Sequence, residues 1–292
     1  MGVKDLIKLL RTHAPGAFKS KPAIQFSDVW IDTPLLVMAH YKKCQSVGIL
    51  PFDSIQDSIQ RTVCNFRKSG IPKIHFVFDG KTREEKFDTV IKRIVAGVKY
   101  SEKTALTVND ILKYDLEVSQ CIISKQEIFY EIAVPLLYPT TRLVNSNTIE
   151  FVRNLCLSDP DINFYIAPHD SEEYIAKQIL KKPETSLISS IDSDVLAFGI
   201  PHVVQYYGTV SENWLCLQDI LNELNITLDQ FRWMCVLLGN DFNDRLKGKG
   251  PASILPVIRD PTFQLETWAR KHNASDQWIA NANRSYTIFS LL

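Results

Sequence analysis

Residues 185–197 read Thr-Ser-Leu-Ile-Ser-Ser-Ile-Asp-Ser-Asp-Val-Leu-Ala. The run Leu187 to Ile191 has the length and composition of a short buried strand, and two carboxylates, Asp192 and Asp194, follow at once. A buried strand that ends in Asp-x-Asp delivers two anionic groups to the carboxyl edge of a sheet, where open α/β folds place their ligands. Carboxylates this close repel unless a cation sits between them or one takes a proton. All-oxygen donors suit Mg²⁺ or Mn²⁺. Taken alone, the motif reads equally well as a helix N-cap at Asp194 beside a solvated Asp192. Other carboxylates along the chain tip the balance.

Working outward, Val29-Trp30-Ile31 is a second short apolar run and ends at Asp32. Ile74 to Phe78 is a third, ending at Asp79-Gly80. A fourth, Asn163 to Ile166, leads into Asp170 and Glu172. Helical periodicity separates these runs: an amphipathic segment over 3–12, a helix from Pro34 to about Cys44, another with Phe52, Ile55, Ile59, Val63 and Phe66 on one face, and one over 147–157. Val203 to Tyr207 is expected to be a further strand. Thr227-x-x-Gln230 has the form of a capping box for a helix ending near Leu238, and Pro251 opens another. Strands alternating with helices predict an α/β fold with a mainly parallel central sheet. Four acid-ended strands converging on one edge would build a pocket that is costly without metal, the pattern of a two-metal phosphodiesterase site.

The bulk composition excludes several classes. The 292 residues are 45% hydrophobic and 23% charged with zero formal net charge, so any basic surface for a polyanion must be local. Six cysteines lie far apart with no Cys-x-x-Cys, which predicts buried reduced thiols. The start Met-Gly-Val-Lys-Asp-Leu is no signal peptide, and no apolar run reaches membrane-spanning length. An intracellular protein is expected, with no membrane partner.

With these residues in view, the chain from Met1 to about Ile258 resembles the flap endonuclease (XPG-type, structure-specific 5′ nuclease) family. The opening Met-Gly-Val-Lys-Asp-Leu is similar to the family's start, Ile31-Asp32 to its first metal carboxylate, and Val77-Phe78-Asp79-Gly80 to its Val-Phe-Asp-Gly. Ala167-Pro168-His169-Asp170-Ser171-Glu172 resembles Ala-Pro-x-Glu-Ala-Glu, and Asp192-Ser193-Asp194 the family's Asp-x-Asp. Leu237-Leu238-Gly239-Asn240-Asp241-Phe242 resembles Leu-Leu-Gly-x-Asp-Tyr, and Lys247-Gly248-Lys249-Gly250-Pro251 the Gly-x-Gly-Pro of a helix–two-turn–helix module.

The resemblance implies a PIN-like nuclease fold with a helical arch. It implies a single nuclease domain over 1–292: an N-terminal region 1–104, an arch or cap insertion 105–140, an internal region 141–240, the helix–two-turn–helix at 241–262 and a helical tail at 263–292. It implies that Asp32, Asp79, Asp170, Glu172, Asp192, Asp194 and Asp241 hold two Mg²⁺ or Mn²⁺ ions. Lys86 and Arg93, one heptad apart, would face the scissile phosphate. That spacing puts both on one helix face, where a basic face turned to solvent is the other reading. Gly2, Lys247, Gly248, Lys249 and Gly250 would contact DNA, with K⁺ possible at the glycine turn. Glycines before a helix N-terminus suit a phosphate grip that reads no bases.

The implied activity is cleavage of DNA flaps or junctions, with 5′–3′ exonuclease activity, in replication, repair or recombination. The implied protein is a monomer, nuclear if eukaryotic or viral. RNA cleavage and a catalytically inactive DNA-binding scaffold are the alternatives. The chain departs from the family in three places. Met38 stands where a stacking aromatic is usual, with Tyr41 nearby. No hydroxyl is evident around Arg245 for the K⁺ loop. No sliding-clamp peptide is recognisable at 288–292. His169 reads as a surface residue.

Overall fold

The computed structural model describes residues 2–19, 25–39, 51–81, 83, 86, 146–205 and 213–291. Within them the strands are β1 (Phe18–Lys19), β2 (Asp28–Asp32), β3 (Lys73–Phe78), β4 (Ile162–Ile166), β5 (Ser186–Ser189), β6 (His202–Gln205) and β7 (Asn213–Cys216). They form one sheet in the order β1-β7-β6-β5-β2-β3-β4. β4, β3, β2, β5 and β6 run parallel, and β7 and β1 are antiparallel additions at one edge. The mainly parallel sheet matches the expectation. The two antiparallel strands were not foreseen, because runs of two and four residues show no readable period.

Helices cover both faces. They are α1 (Leu6–His13), α2 (33–39), α3 (Pro51–Lys68), α4 (Ser146–Ser158), α5 (Ser171–Ile179), α6 (Asp194–Ala197), α7 (Leu217–Leu224), α8 (Leu228–Leu238), α9 (Pro251–Arg259), α10 (Leu265–Lys271) and α11 (Asp276–Ser290). Side chains alternate across the strands. Val29, Ile31, Phe76, Phe78 and Leu187 enter one core with Ile55, Ile59 and Phe66 of α3 and Val152 of α4. Trp30, Val77 and Ile188 enter the other core with α1, α5, α8, α9 and α11. Phe76 is wholly buried, and truncating it to Ala would cost about 3–5 kcal/mol. α11 is integral to this core, since Phe289 is fully buried against Phe198 and Phe242. The Thr227–Gln230 capping box forms as expected.

Three expectations are corrected. β5 stops at Ser189, so Asp192 lies in the turn beyond the strand rather than at its last residue. Asp194 is the first residue of α6, and Ser193 precedes it as the cap. Among the described residues Cys64 is exposed, Cys156 and Cys216 are half-buried and Cys235 is buried, so these four free thiols are not uniformly interior. The arch insertion at 105–140, Arg93 and Tyr41 lie outside the described residues. No helix among the described residues is long and apolar enough to cross a membrane.

Candidate metal centre

The parallel registers set the geometry. Asp32 ends β2 beside Val77 of β3, and Ile31 lies between Phe76 and Ser189. Asp79 therefore emerges next to Asp32, and the turn after β5 rises on Asp32's other side. The loop after β4 folds back over Asp79: Gly80 N–H donates to the His169 carbonyl (2.6 Å) and Lys81 N–H to that of Pro168 (3.1 Å). A Cβ on Gly80 would fall 1.9 Å from the Ala167 carbonyl oxygen, so only glycine allows this approach. His169 is half-buried, its Nδ1 3.0 Å from the Lys81 carbonyl. It takes part in this loop contact while remaining partly exposed, as the surface reading expected.

The acids of five chain segments face one another. Asp32, Asp192, Asp194 and Asp241 are buried (1%, 5%, 4% and 9% exposed), Asp170 and Glu172 are half-buried, and Asp79 stands open at the rim. Burial, then Asp79 and Asp192, push the Asp32 carboxyl up to about 8 against the hydrogen bond from Ser190. Glu172 is raised well above the carboxylate range by burial, then by Asp32, Asp79 and Asp192. Asp194 is raised as far by burial, then by Asp192 and Asp241. Asp192 is raised by burial and Asp241. Asp79 is raised because protein crowds it even though water reaches its surface, with Asp170 adding repulsion. Each of the seven acids is thus within electrostatic reach of at least one other.

Lys86 enters this basin. Lys86 Nζ lies 3.0 Å from Asp170 Oδ1 and 5.0 Å from the centre of the Phe242 ring. Burial opposes its charge, but Glu172, Asp170 and Asp241 outweigh it and raise its pKa. Arg83 pairs with Glu173 and approaches Asp170 at 3.7 Å.

Several supporting residues carried no sequence signal. Ser190 and Ser171 donate hydroxyl bonds to Asp32. Asn240 holds the turn that presents Asp241: its Oδ1 accepts from the amides of Phe242 and Asn243 and from Ser285 Oγ of α11. Lys4 N–H donates to the Gly239 carbonyl at 2.8 Å, tying the N-terminal segment to the same turn. Gly2, at φ +87°, is pressed against the site: a Cβ there would lie 1.9 Å from Asp192 Oδ1.

The donor set fits hard divalent ions. Every candidate ligand is oxygen, Asp194 Oδ1 is buried without a hydrogen-bond partner, and five carboxyls are pushed upward by burial and then by one another. Among the described residues no group of three or more His, Cys, Asp or Glu side chains is arranged to hold an ion as it stands. The Lys247–Gly250 turn lies apart from these acids. Gly248 takes φ +77°, Lys247 is exposed, and Ser253 Oγ caps the Gly250 backbone where α9 begins.

Comparison with known proteins sharpens this picture. Residues 161–241, which carry Asp170, Glu172, Asp192, Asp194 and Asp241, match the XPG I-region family model. The chain is 28% identical over 228 residues to flap endonuclease 1 of Haloquadratum walsbyi, covering 75% of this chain. It spans 63% of that relative's length. The fold superposes on the catalytic core of Rad2 in complex with DNA substrate with a TM-score of 0.65 at 16% identity, covering 99% of this chain and 85% of that one. On flap endonuclease-1 from Methanococcus jannaschii the TM-score is 0.59 at 20% identity, covering 91% of this chain and 78% of that one.

Proposed function

We propose that this chain, which matches the XPG I-region over 161–241 and is similar to flap endonuclease 1, is a metal-dependent 5′ nuclease that cuts DNA at single-/double-strand junctions. The observation that carries the reading is the basin itself: seven carboxylates from five segments share one sheet edge with Lys86 set among them. A scaffold that did no chemistry would gain nothing from keeping so many acids in mutual repulsion.

Asp32, Asp79, Asp170, Glu172, Asp192, Asp194 and Asp241 would hold two Mg²⁺ or Mn²⁺ ions. Bound there, such ions make water a nucleophile at neutral pH and offset charge on the phosphate. Water adds to phosphorus, the P–O3′ bond breaks, and O3′ leaves with a proton, so the downstream product keeps a 5′ phosphate. Lys86 supplies a positive charge next to the acids, able to offset charge growing on the phosphoryl oxygens. Arg93 is proposed as its partner. The Lys247–Gly250 turn, with Lys247 and Lys249 beside the N-terminus of α9, would grip duplex phosphates without reading sequence. Gly2 serves the site by close packing on Asp192, an approach a side chain would block.

The test is cleavage of a labelled 5′-flap DNA duplex, and of a matched RNA strand, with and without Mg²⁺, mapping the new ends. Cutting near the junction only with Mg²⁺, leaving 5′ phosphate, supports the reading. Preferential cutting of the RNA, or no cutting of either, would overturn it.

A further inference from the structure

Asp32 is held by its own pair of hydroxyls. Ser190 Oγ donates to Asp32 Oδ2 at 2.8 Å, and Ser171 Oγ to Asp32 Oδ1 at 3.2 Å. Each serine also engages a second acid's segment. Ser190 Oγ accepts the Asp192 amide at 3.0 Å, and the Ser171 amide donates to Asp79 Oδ1 at 2.8 Å. All three groups of the clamp are interior: Ser171 is 1%, Ser190 4% and Asp32 1% exposed.

The bond directions matter. A serine hydroxyl has one proton and two lone pairs. At Ser190 the lone pair is taken by the Asp192 amide, so the proton points to Asp32. The Ser171 main-chain N–H goes to Asp79, and its hydroxyl sits between Asp32 and Asp79. The two serines therefore link the ends of β2, β3 and β5 through side chains that no ion has to touch. Three crowded carboxyl groups are held in one arrangement by hydroxyl and amide donors that carry no charge.

We propose that Ser171 and Ser190 are positioning residues that fix Asp32 between Asp79 and the Asp192 turn, prearranging the seat for a divalent cation. The inference rests on the nuclease reading above. Neither residue is required for helix or strand formation here. Ser171 opens α5 without a side-chain cap bond, and Ser190 lies one residue beyond β5. Alanine at either position removes the hydroxyl and leaves the elements intact. Groups that orient a metal's ligands change metal affinity by roughly 10–100-fold when removed.

The experiment measures Mn²⁺ binding to the metal-free full chain by electron paramagnetic resonance, for the wild type, Ser171→Ala, Ser190→Ala, the double variant and Ser190→Thr. Expected are Mn²⁺ affinities about 10-fold weaker for each alanine variant and up to about 100-fold weaker for the double. Ser190→Thr, which keeps the hydroxyl, should return to near the wild-type value. Flap cleavage by the alanine variants should recover largely at saturating Mn²⁺. The clamp is overturned if the wild type binds Mn²⁺ and cuts while folded alanine variants bind within 2-fold of it, even if their melting temperatures fall. Should the double variant fail to fold, the two single variants and Ser190→Thr decide by the same criterion. A wild type that neither binds Mn²⁺ nor cuts would remove the nuclease reading itself, and the clamp with it.

Discussion

Strand β2 carries a buried aspartate at each end, and the two have opposite surroundings. Asp28, at the amino end, accepts the Trp30 indole N–H and the Ser27 hydroxyl, each at 3.0 Å, from residues one and two positions away. Asp32, at the carboxyl end, is bonded by Ser171 and Ser190 from distant segments and faces Asp79 and Asp192. The same residue type in the same strand is a settled structural acid in one place and a strained member of an acidic basin in the other. The polarity of a parallel sheet explains it. All carboxyl ends gather at one edge, and the loops leaving them bring their acids together there.

The largest effect that could break this contrast is loss of cleavage. Asp192→Asn or Asp194→Asn is expected to lower flap cleavage by on the order of 10²–10³ or more, as the loss of a central charge-stabilising group does. Asp28→Asn should leave cleavage as it is and cost about 1 kcal/mol of stability, read by denaturant unfolding. Equal damage from both ends of β2 would abolish the distinction.

Next is Lys86→Met. Cleavage at saturating Mg²⁺ should fall by roughly 10², because the charge next to the acids is gone. The metal-free protein should also melt lower, since the acids lose their internal counter-charge. Added Mg²⁺ should restore most of that loss, which differential scanning calorimetry would show.

The third effect is the pH dependence of metal-free stability. Folded Asp32 holds its proton up to about 8, whereas an unfolded aspartate releases it near 3.9. Between those values the folded state binds more protons than the unfolded one, so this stability is fully present below about pH 4 and is lost as pH rises through about 8. The melting temperature should therefore fall from pH 5 to pH 9 without metal and flatten with Mg²⁺. Asp32→Asn should reduce the slope.

The smallest effect lies away from the basin. Lys247→Ala and Lys249→Ala should each raise KM for flap DNA several-fold and lower the salt slope of binding by about one, with kcat unchanged.

Much of this could be read from local pattern. The runs before Asp32, Asp79 and Asp170, the Thr227–Gln230 box and the Pro251 helix start are signals carried by a few adjacent residues, and each appears close to its expected place. β7 was missed because Asn-Trp-Leu-Cys is too short to show a period and owes its strand form to pairing with β6. The serine clamp and the Asn240–Ser285 contact were missed for another reason. Serine and asparagine are common in turns, and only the folded structure shows which partners they take. Ser190 meets Asp32 across 158 positions of sequence, and Ser285 meets Asn240 across 45.

The order of residues by itself determined that this chain has several short buried strands with acids just beyond them, and that those acids come in a recognisable sequence. Hydrophobic runs and the carboxylates that end them are local facts, so they are written where they act. Only the tertiary structure decided that Asp32 stands against Asp79 and Asp192, that Lys86 reaches Asp170 and that α11 supports the Asp241 turn. Those pairings follow from strand order and parallel register, which the whole folded sheet fixes and no short stretch contains.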